Sequence, residues 1–259
     1  MKKNNQINNE ITDYYEKLLD SEDTETIGNF ARISCFRNKE WFKEEKKRVK
    51  KMFSTEKKLI NKITVIAGVD EVGRGPMAGP VVACAVNFSE YIFLPGLDDS
   101  KKVEPQLRNL IARAIQKYAN VCSVASVSAE EIDRINIHNA SLKAMKLAVI
   151  LSSVKPGLLL VDGNHRIRDL DCPQKTVVKG DGKYYSIASA SIVAKTARDN
   201  LMRDLGRLYP GYSFENHKGY CTPGHIKAIE ELGPCPVHRR SYGPIKKYFQ
   251  RYEQLTLIK

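Results

Sequence analysis

No two cysteines in this chain are spaced Cys-x-x-Cys. The six, at positions 35, 84, 122, 172, 221 and 235, form neither a disulfide framework nor a zinc-ligand pattern. Cys84 and Cys122 fall in apolar runs, where a thiol behaves as a small hydrophobe. No apolar run reaches the roughly 20 residues that a bilayer-spanning helix needs. The opening Met1-Lys2-Lys3-Asn4-Asn5-Gln6 lacks the apolar core of a secretion signal. Internal repeats and low-complexity tracts are missing too. These absences predict a soluble, cytoplasmic protein, kept reduced, with no membrane partner.

What is there begins with bulk and charge. The chain has 259 residues, 42% of them hydrophobic, enough for one good-sized domain or a smaller one with an appendage. Lys and Arg number 42 against 30 Asp and Glu, a net +12. That surplus fits a polyanionic partner, nucleic acid or an acidic membrane surface, and equally serves plain solubility.

Residues 1–20 are polar, and their start is expected to be poorly ordered. From about Thr24 to Lys62 the chain turns basic. Phe42, Val49, Met52-Phe53 and Leu59-Ile60 recur at helical spacing. A basic, mainly helical N-terminal extension over 1–62 is predicted, which either packs by its apolar stripe or also touches phosphate. The domain over 63–259 then alternates. Apolar runs 63–69, 81–88, 121–127, 157–161 and 175–178 read as strands. Segments 104–118, 128–152, 186–208, 222–231 and 244–252 read as helices, the second opened by a capping box at Ser128 and Glu131. Alternation of this kind indicates a layered α/β domain.

Acids recur where apolar strands meet glycine turns: Asp70-Glu71, Asp162 and Asp181. Each alone also fits an ordinary turn or cap. Neighbouring strands lie about 5 Å apart, so three such ends can share one cleft. Clustered carboxylates raise one another's pKa unless a cation intervenes. Hard divalent ions with oxygen ligands suit them, and two ions about 3.5–4 Å apart can clamp both oxygens of an in-line phosphoryl displacement. Asp70 and Glu71 cannot both face one ion from a regular strand. Either the strand ends between them, as Gly73 and Gly75 permit, or one contributes through its carbonyl.

The string from Gly68 to Ala83, Gly-Val-Asp-Glu-Val-Gly-Arg-Gly-Pro-Met-Ala-Gly-Pro-Val-Val-Ala, closely resembles the opening signature of bacterial ribonuclease HII. Further blocks resemble that family in order: Asp98-Asp99-Ser100-Lys101-Lys102; Ile132-Asp133 with Asn136-Ile137; Val161-Asp162-Gly163-Asn164; and Lys179-Gly180-Asp181. Ser186 to Lys195 with Arg198-Asp199, then His217-Lys218-Gly219-Tyr220 and His238-Arg239-Arg240-Ser241, complete the set. Met77, Gly182 and Cys221 depart from the commonest family pattern without removing a polar group from the site.

The resemblance implies an RNase H-like mixed sheet flanked by helices, with a helical C-terminal segment. It implies an endonuclease that hydrolyses the RNA strand of RNA–DNA hybrids and cuts 5′ to single ribonucleotides embedded in duplex DNA. Asp70, Glu71, Asp162 and Asp181 would be the catalytic acids, holding Mg²⁺ or Mn²⁺. Gly73, Arg74 and Gly75 would read the 2′-hydroxyl through their backbone, with Tyr220 packed on the ribose. Asn136 is expected at the substrate, and Lys101, Lys179 and Lys195 are candidate phosphate contacts. Arg74 is open to two readings, phosphate contact or pairing with Asp70. The rivals are ribonuclease HIII, a non-hydrolytic binding module and a phosphatase or transposase. A monomer is expected.

Overall fold

The computed structural model describes residues 2–20, 38–59, 65–152 and 155–257. Cys35, parts of the basic segment and the first residues of the expected opening strand fall outside them. The elements, in order, are α1 (Lys2–Asp20), α2 (Lys39–Lys57), β1 (Ile66–Val72), β2 (Val81–Asn87), α3 (Pro105–Tyr118), β3 (Val121–Val127) and α4 (Ala129–Leu151). β4 (Leu158–Asp162), β5 (Gln174–Val177), a 3₁₀ turn (Gly180–Gly182), α5 (Tyr185–Leu208), α6 (Phe214–His217), α7 (Pro223–Leu232) and α8 (Gly243–Leu257) follow.

The five strands form one mixed sheet in the order β3-β2-β1-β4-β5. β1–β2 and β2–β3 run antiparallel, while β1–β4 and β4–β5 run parallel. Every residue of β2 is buried, because helices cover both faces of the sheet. On one face Ala67, Val69, Leu159 and Val161 pack against Ala140, Ala144 and Ala148 of α4. On the other, Ile66 and Leu160 meet Ile187 of α5. Gly68 permits the closest approach: a Cβ there would lie 2.4 Å from Ile187 N and Ser186 C. Backbone meets backbone, so the start of α5 is seated directly on β1.

Polar as it is, the segment 2–20 forms a helix with one packed face. Helix α1 begins at Lys2, and Ile11, Tyr14, Tyr15 and Leu18 make a buried face at helical spacing. The Tyr14 and Tyr15 hydroxyls donate to Phe93 O (2.6 Å) and Pro95 O (2.9 Å). A polar composition concealed one apolar stripe. Of the stripe expected in α2, Phe42, Val49 and Met52 are buried and Phe53 packs beside them, while Leu59 lies past the helix end and Ile60 outside the described residues; both helices share a cluster with β2, α3 and α5.

Helix α4 starts as half a capping box. Ser128 Oγ accepts from Glu131 N at 3.2 Å, but the Glu131 carboxylate turns to Arg134 and Lys143. The helix is broken at Asn136 (φ 64°, ψ 162°), whose Oδ1 accepts from Asn139 N and caps the longer second part. Among the described residues no helix is long and apolar enough to cross a membrane.

Candidate active site

Strand β1 does not stop between the two acids; it runs on to Val72. Side chains therefore alternate through Asp70 and Glu71. Gly68 abuts α5, and Asp70 lies two residues on, so Asp70 faces α5 and Glu71 the opposite side. The parallel pairing Val69↔Val161 sets Asp70 beside Asp162 at the next rung. Residues level with one another on adjacent parallel strands point the same way, so these two acids share a face.

Asp162 in turn organises the third acid. Gly180 N donates to Asp162 Oδ1 at 2.7 Å, anchoring the 3₁₀ turn that carries Asp181. A Cβ on Gly180 would stand 2.5 Å from Ile187 Cδ1 and 3.2 Å from Asp162 Oδ1. A larger residue there would have to displace the Ile187 side chain. Lys179, just before, sits in the left-handed region at φ 55° with its side chain exposed.

All four carboxyls are harder to ionise than usual. For Asp70, burial pushes the pKa well up; the charges of Glu71 and Asp162 add to it, opposed by Ser191 and the Glu71 N–H. Burial leads for Glu71 as well, and Asp162 adds while Arg74 opposes. Burial raises Asp162 against the bonds from Gly180 and Gly163. Asp181 is raised by burial, then by Asp99 and Asp162. Lys101 lowers both Asp162 and Asp181, so its ammonium lies within electrostatic reach of the acids. The site is short of positive charge.

An all-oxygen donor set with that deficit fits a hard divalent cation. Among the described residues no group of three or more His, Cys, Asp or Glu side chains stands ready to hold one ion. Mg²⁺ does not require such a cage: it commonly rests on one or two carboxylates and keeps its remaining positions for water and phosphate oxygens.

Beside the acids lies a glycine-bracketed turn. Gly73 adopts φ 98°, and a Cβ there would strike Arg198 Nε at 2.2 Å. Arg74 pairs with Glu71 (Nη1–Oε1 3.3 Å), not with Asp70, because side-chain alternation turns Glu71 toward it. A Cβ on Gly75 would lie 3.4 Å from Tyr220 Cε1, so the half-exposed Tyr220 ring borders this turn. Met77 N donates to Gly219 O at 2.9 Å, tying the two segments together.

Behind Tyr220 runs a chain of imidazoles. His225 Nδ1 lies 2.9 Å from Tyr220 O, and its Nε2 lies 3.0 Å from His238 Nε2. Cys235 N donates to His238 Nδ1 at 2.9 Å. A carbonyl can only accept, so His225 carries its proton on Nδ1 and His238 on Nε2. Both rings must be neutral, and burial pushes both pKa values down to about 4.

The remaining expected contacts divide. Lys101 and Lys179 are exposed near the acids. Lys195 is committed to Asp199 at 2.7 Å, which also accepts from Arg108 at 2.8 Å. Asn136 spends its side-chain oxygen on the α4 cap. Sequence reading missed Asp99 as a neighbour of Asp162 and Asp181, with its place one residue before Ser100-Lys101 the only hint. It also missed two buried arginines. Arg198 donates to Pro80 O (3.0 Å), Lys218 O (3.1 Å) and Ala78 O (3.2 Å). Arg239 binds the glycine turn itself.

Comparison with known proteins shows the family and the fold. The family model described as ribonuclease HII matches residues 67–244. Ribonuclease HII of Caldanaerobacter subterraneus subsp. tengcongensis is 48% identical over 205 residues, covering 79% of this chain and 85% of the relative. That of Chlorobium phaeobacteroides is 49% identical over 185 residues, covering 70% and 90%. Among solved structures, the PCNA:RNase HII complex from Archaeoglobus fulgidus is similar at TM-score 0.60 and 26% identity, covering 69% of this chain and 95% of that one. Ribonuclease H2 from Pyrococcus horikoshii OT3 shares the fold at TM-score 0.60 and 24% identity, covering 73% and 99%. The chain belongs to the ribonuclease HII family, and is an endoribonuclease of the ribonuclease H type.

Proposed function

We propose that this protein hydrolyses the RNA strand of RNA–DNA hybrids and cuts on the 5′ side of a single ribonucleotide within duplex DNA, leaving a 3′-hydroxyl and a 5′-phosphate. The observation that carries this reading is an adjacency. The Asp70–Asp162 pair ends on the same side of the molecule as a glycine turn bordered by an exposed tyrosine. A ribose differs from a deoxyribose only at the 2′-hydroxyl, so a reader must sit within hydrogen-bond reach of the sugar. Bare backbone at Gly73 and Gly75, with the Tyr220 ring beside it, has the required chemistry.

In this reading Asp70, Asp162 and Asp181 would hold one or two divalent ions by their carboxylates, and Glu71, whose side chain faces the other way, would contribute through its main-chain carbonyl. Mg²⁺ or Mn²⁺ bound there would supply Lewis-acid polarisation of the scissile phosphate and a more acidic water. The chain's own groups do the rest. Asp70 and Asp162, level on neighbouring strands, would fix the position of such an ion on one face of the sheet. Tyr220 packs against the ribose and excludes water from it. Arg74, about half exposed, and Lys101 and Lys179 bind flanking phosphates. The net charge of +12 favours encounter with a polyanion.

The deciding experiment uses a DNA duplex with one ribonucleotide, incubated with Mg²⁺, with Mn²⁺ and with chelator. A single metal-dependent nick 5′ to the ribonucleotide supports the reading. Nicking that ignores the ribonucleotide would assign the fold to a general phosphodiesterase, and binding without nicking to a non-hydrolytic module.

A further inference from the structure

Arg239 is fully buried, yet among the described residues no carboxylate touches its guanidinium. Its five N–H groups meet four acceptor atoms instead, Gly79 O taking two of them. Nε donates to Gly79 O (3.0 Å); Nη2 donates to Gly79 O (2.8 Å) and Gly73 O (2.6 Å). Nη1 donates to Arg74 O (3.0 Å) and to the Tyr242 hydroxyl (2.9 Å), which itself donates to Arg74 O. The donor inventory of arginine is used up.

The carbonyls so held have a consequence for the turn. No peptide bond among the described residues is cis. In a trans peptide the C=O and the following N–H point in opposite directions. Drawing Gly73 O and Arg74 O toward Arg239 therefore turns the N–H groups of Arg74 and Gly75 away from it. Neither N–H has a hydrogen-bond partner among the described residues. Gly75, in turn, is the residue bordered by Tyr220.

We propose that Arg239, with Tyr242, is the positioning residue for sugar discrimination: its guanidinium fixes the two peptide planes whose N–H groups face the ribose. This rests on the reading of the Gly73–Gly75 turn as the sugar reader. The segment is itself braced. Arg239 N donates to Met77 O at 2.9 Å, and the Asp133 carboxylate accepts from Arg240 N (2.7 Å), Ser241 N (2.9 Å) and Ser241 Oγ (2.6 Å). A lysine cannot replace the fork, because its ammonium is a point charge with three donors on a flexible stem.

The test compares wild type with Arg239→Lys and Tyr242→Phe in three measurements. These are kcat/KM on a duplex carrying one ribonucleotide, Kd for the all-DNA duplex of the same sequence, and the thermal midpoint. Arg239→Lys is expected to lose about 10- to 100-fold in kcat/KM, and Tyr242→Phe about 3- to 10-fold, mainly in kcat. All-DNA affinity should stay within about twofold in both. Cleavage within twofold of wild type, or all-DNA affinity falling in parallel, would overturn the assignment. Should Arg239→Lys fail to fold, Tyr242→Phe decides alone, since it deletes one hydroxyl. The wild-type arm separates the two layers. If wild type itself fails to single out the ribonucleotide, the underlying reading falls; if it succeeds and the variants match it, only the role of Arg239 falls.

Discussion

The carboxylate of Glu56 accepts from both the N–H (2.9 Å) and the hydroxyl (2.8 Å) of Ser186, so α2 caps α5 from outside the family-matched residues 67–244. Ser186 is also the residue against which Gly68 packs, two positions before Asp70. The N-terminal extension thus closes on the helix that backs the candidate catalytic strand.

That cap has a pH signature. Burial raises the Glu56 pKa to about 7, against the two bonds from Ser186. A carboxyl raised in the folded state favours folding fully below its unfolded pKa near 4.5, and that contribution is lost as pH rises through about 7. Glu56→Gln keeps an acceptor and removes the titration. Relative to wild type it should gain about 3 kcal/mol between pH 4.5 and pH 8, read as the difference in urea midpoints. A difference that does not change with pH would mean that Glu56 titrates normally.

Asp70→Asn and Asp162→Asn each preserve shape, and the amide introduced at position 162 would still offer an oxygen to Gly180 N. Cleavage should fall by at least about 10³-fold in either, because a neutral amide neither offsets nor shares a cation's charge. Binding to a ribonucleotide-containing duplex should stay within a few-fold. Near-normal cutting by either variant would remove that acid from the chemistry.

Tyr220 is 43% exposed, too open to be needed for packing. Tyr220→Ala should cost cleavage at a lone ribonucleotide roughly tenfold or more, with affinity for plain DNA changed less than twofold. Tyr220→Phe should fall between, retaining the ring without the hydroxyl. Equal losses on both substrates would make the residue structural.

The imidazole chain behind Tyr220 makes the opposite pH prediction. His225 and His238 have folded pKa values lowered to about 4 by burial. Above pH 6.5 both are neutral in either state and contribute nothing. Between 6.5 and 4 the unfolded chain takes up protons that the native one refuses, so stability falls with acidification, by roughly 3 kcal/mol for each ring at pH 4. The two ring resonances followed by NMR should titrate near pH 4; midpoints near 6.5 would show that the chain of bonds does not persist in solution.

Much of this was legible beforehand. Strands and helices alternated in the chain as they do in space, because hydrophobic period and glycine turns are local signals that survive packing. The acids could be picked out as candidates for the same reason, Asp70-Glu71, Asp162 and Asp181 each falling near the meeting of an apolar run and a glycine turn. The limits were equally physical. The stripe Ile11, Tyr14, Tyr15, Leu18 was lost among polar residues, and its order depends on partners about 80 positions away, at Phe93 and Pro95. Arg74 was open to a phosphate or to Asp70, and side-chain alternation along β1, which runs on to Val72, gave it Glu71 instead.

What the amino-acid order determined by itself was therefore the inventory: which groups carry charge, which segments are strands or helices, and where backbone is left bare. What only tertiary structure decided was adjacency. Asp70 meets Asp162 through the parallel register of two strands about 90 residues apart in the chain. Gly73 and Arg74 are held by an arginine more than 160 residues further on. A buried polar group must find its acceptor wherever the fold brings one, and no local pattern records which distant carbonyl that will be.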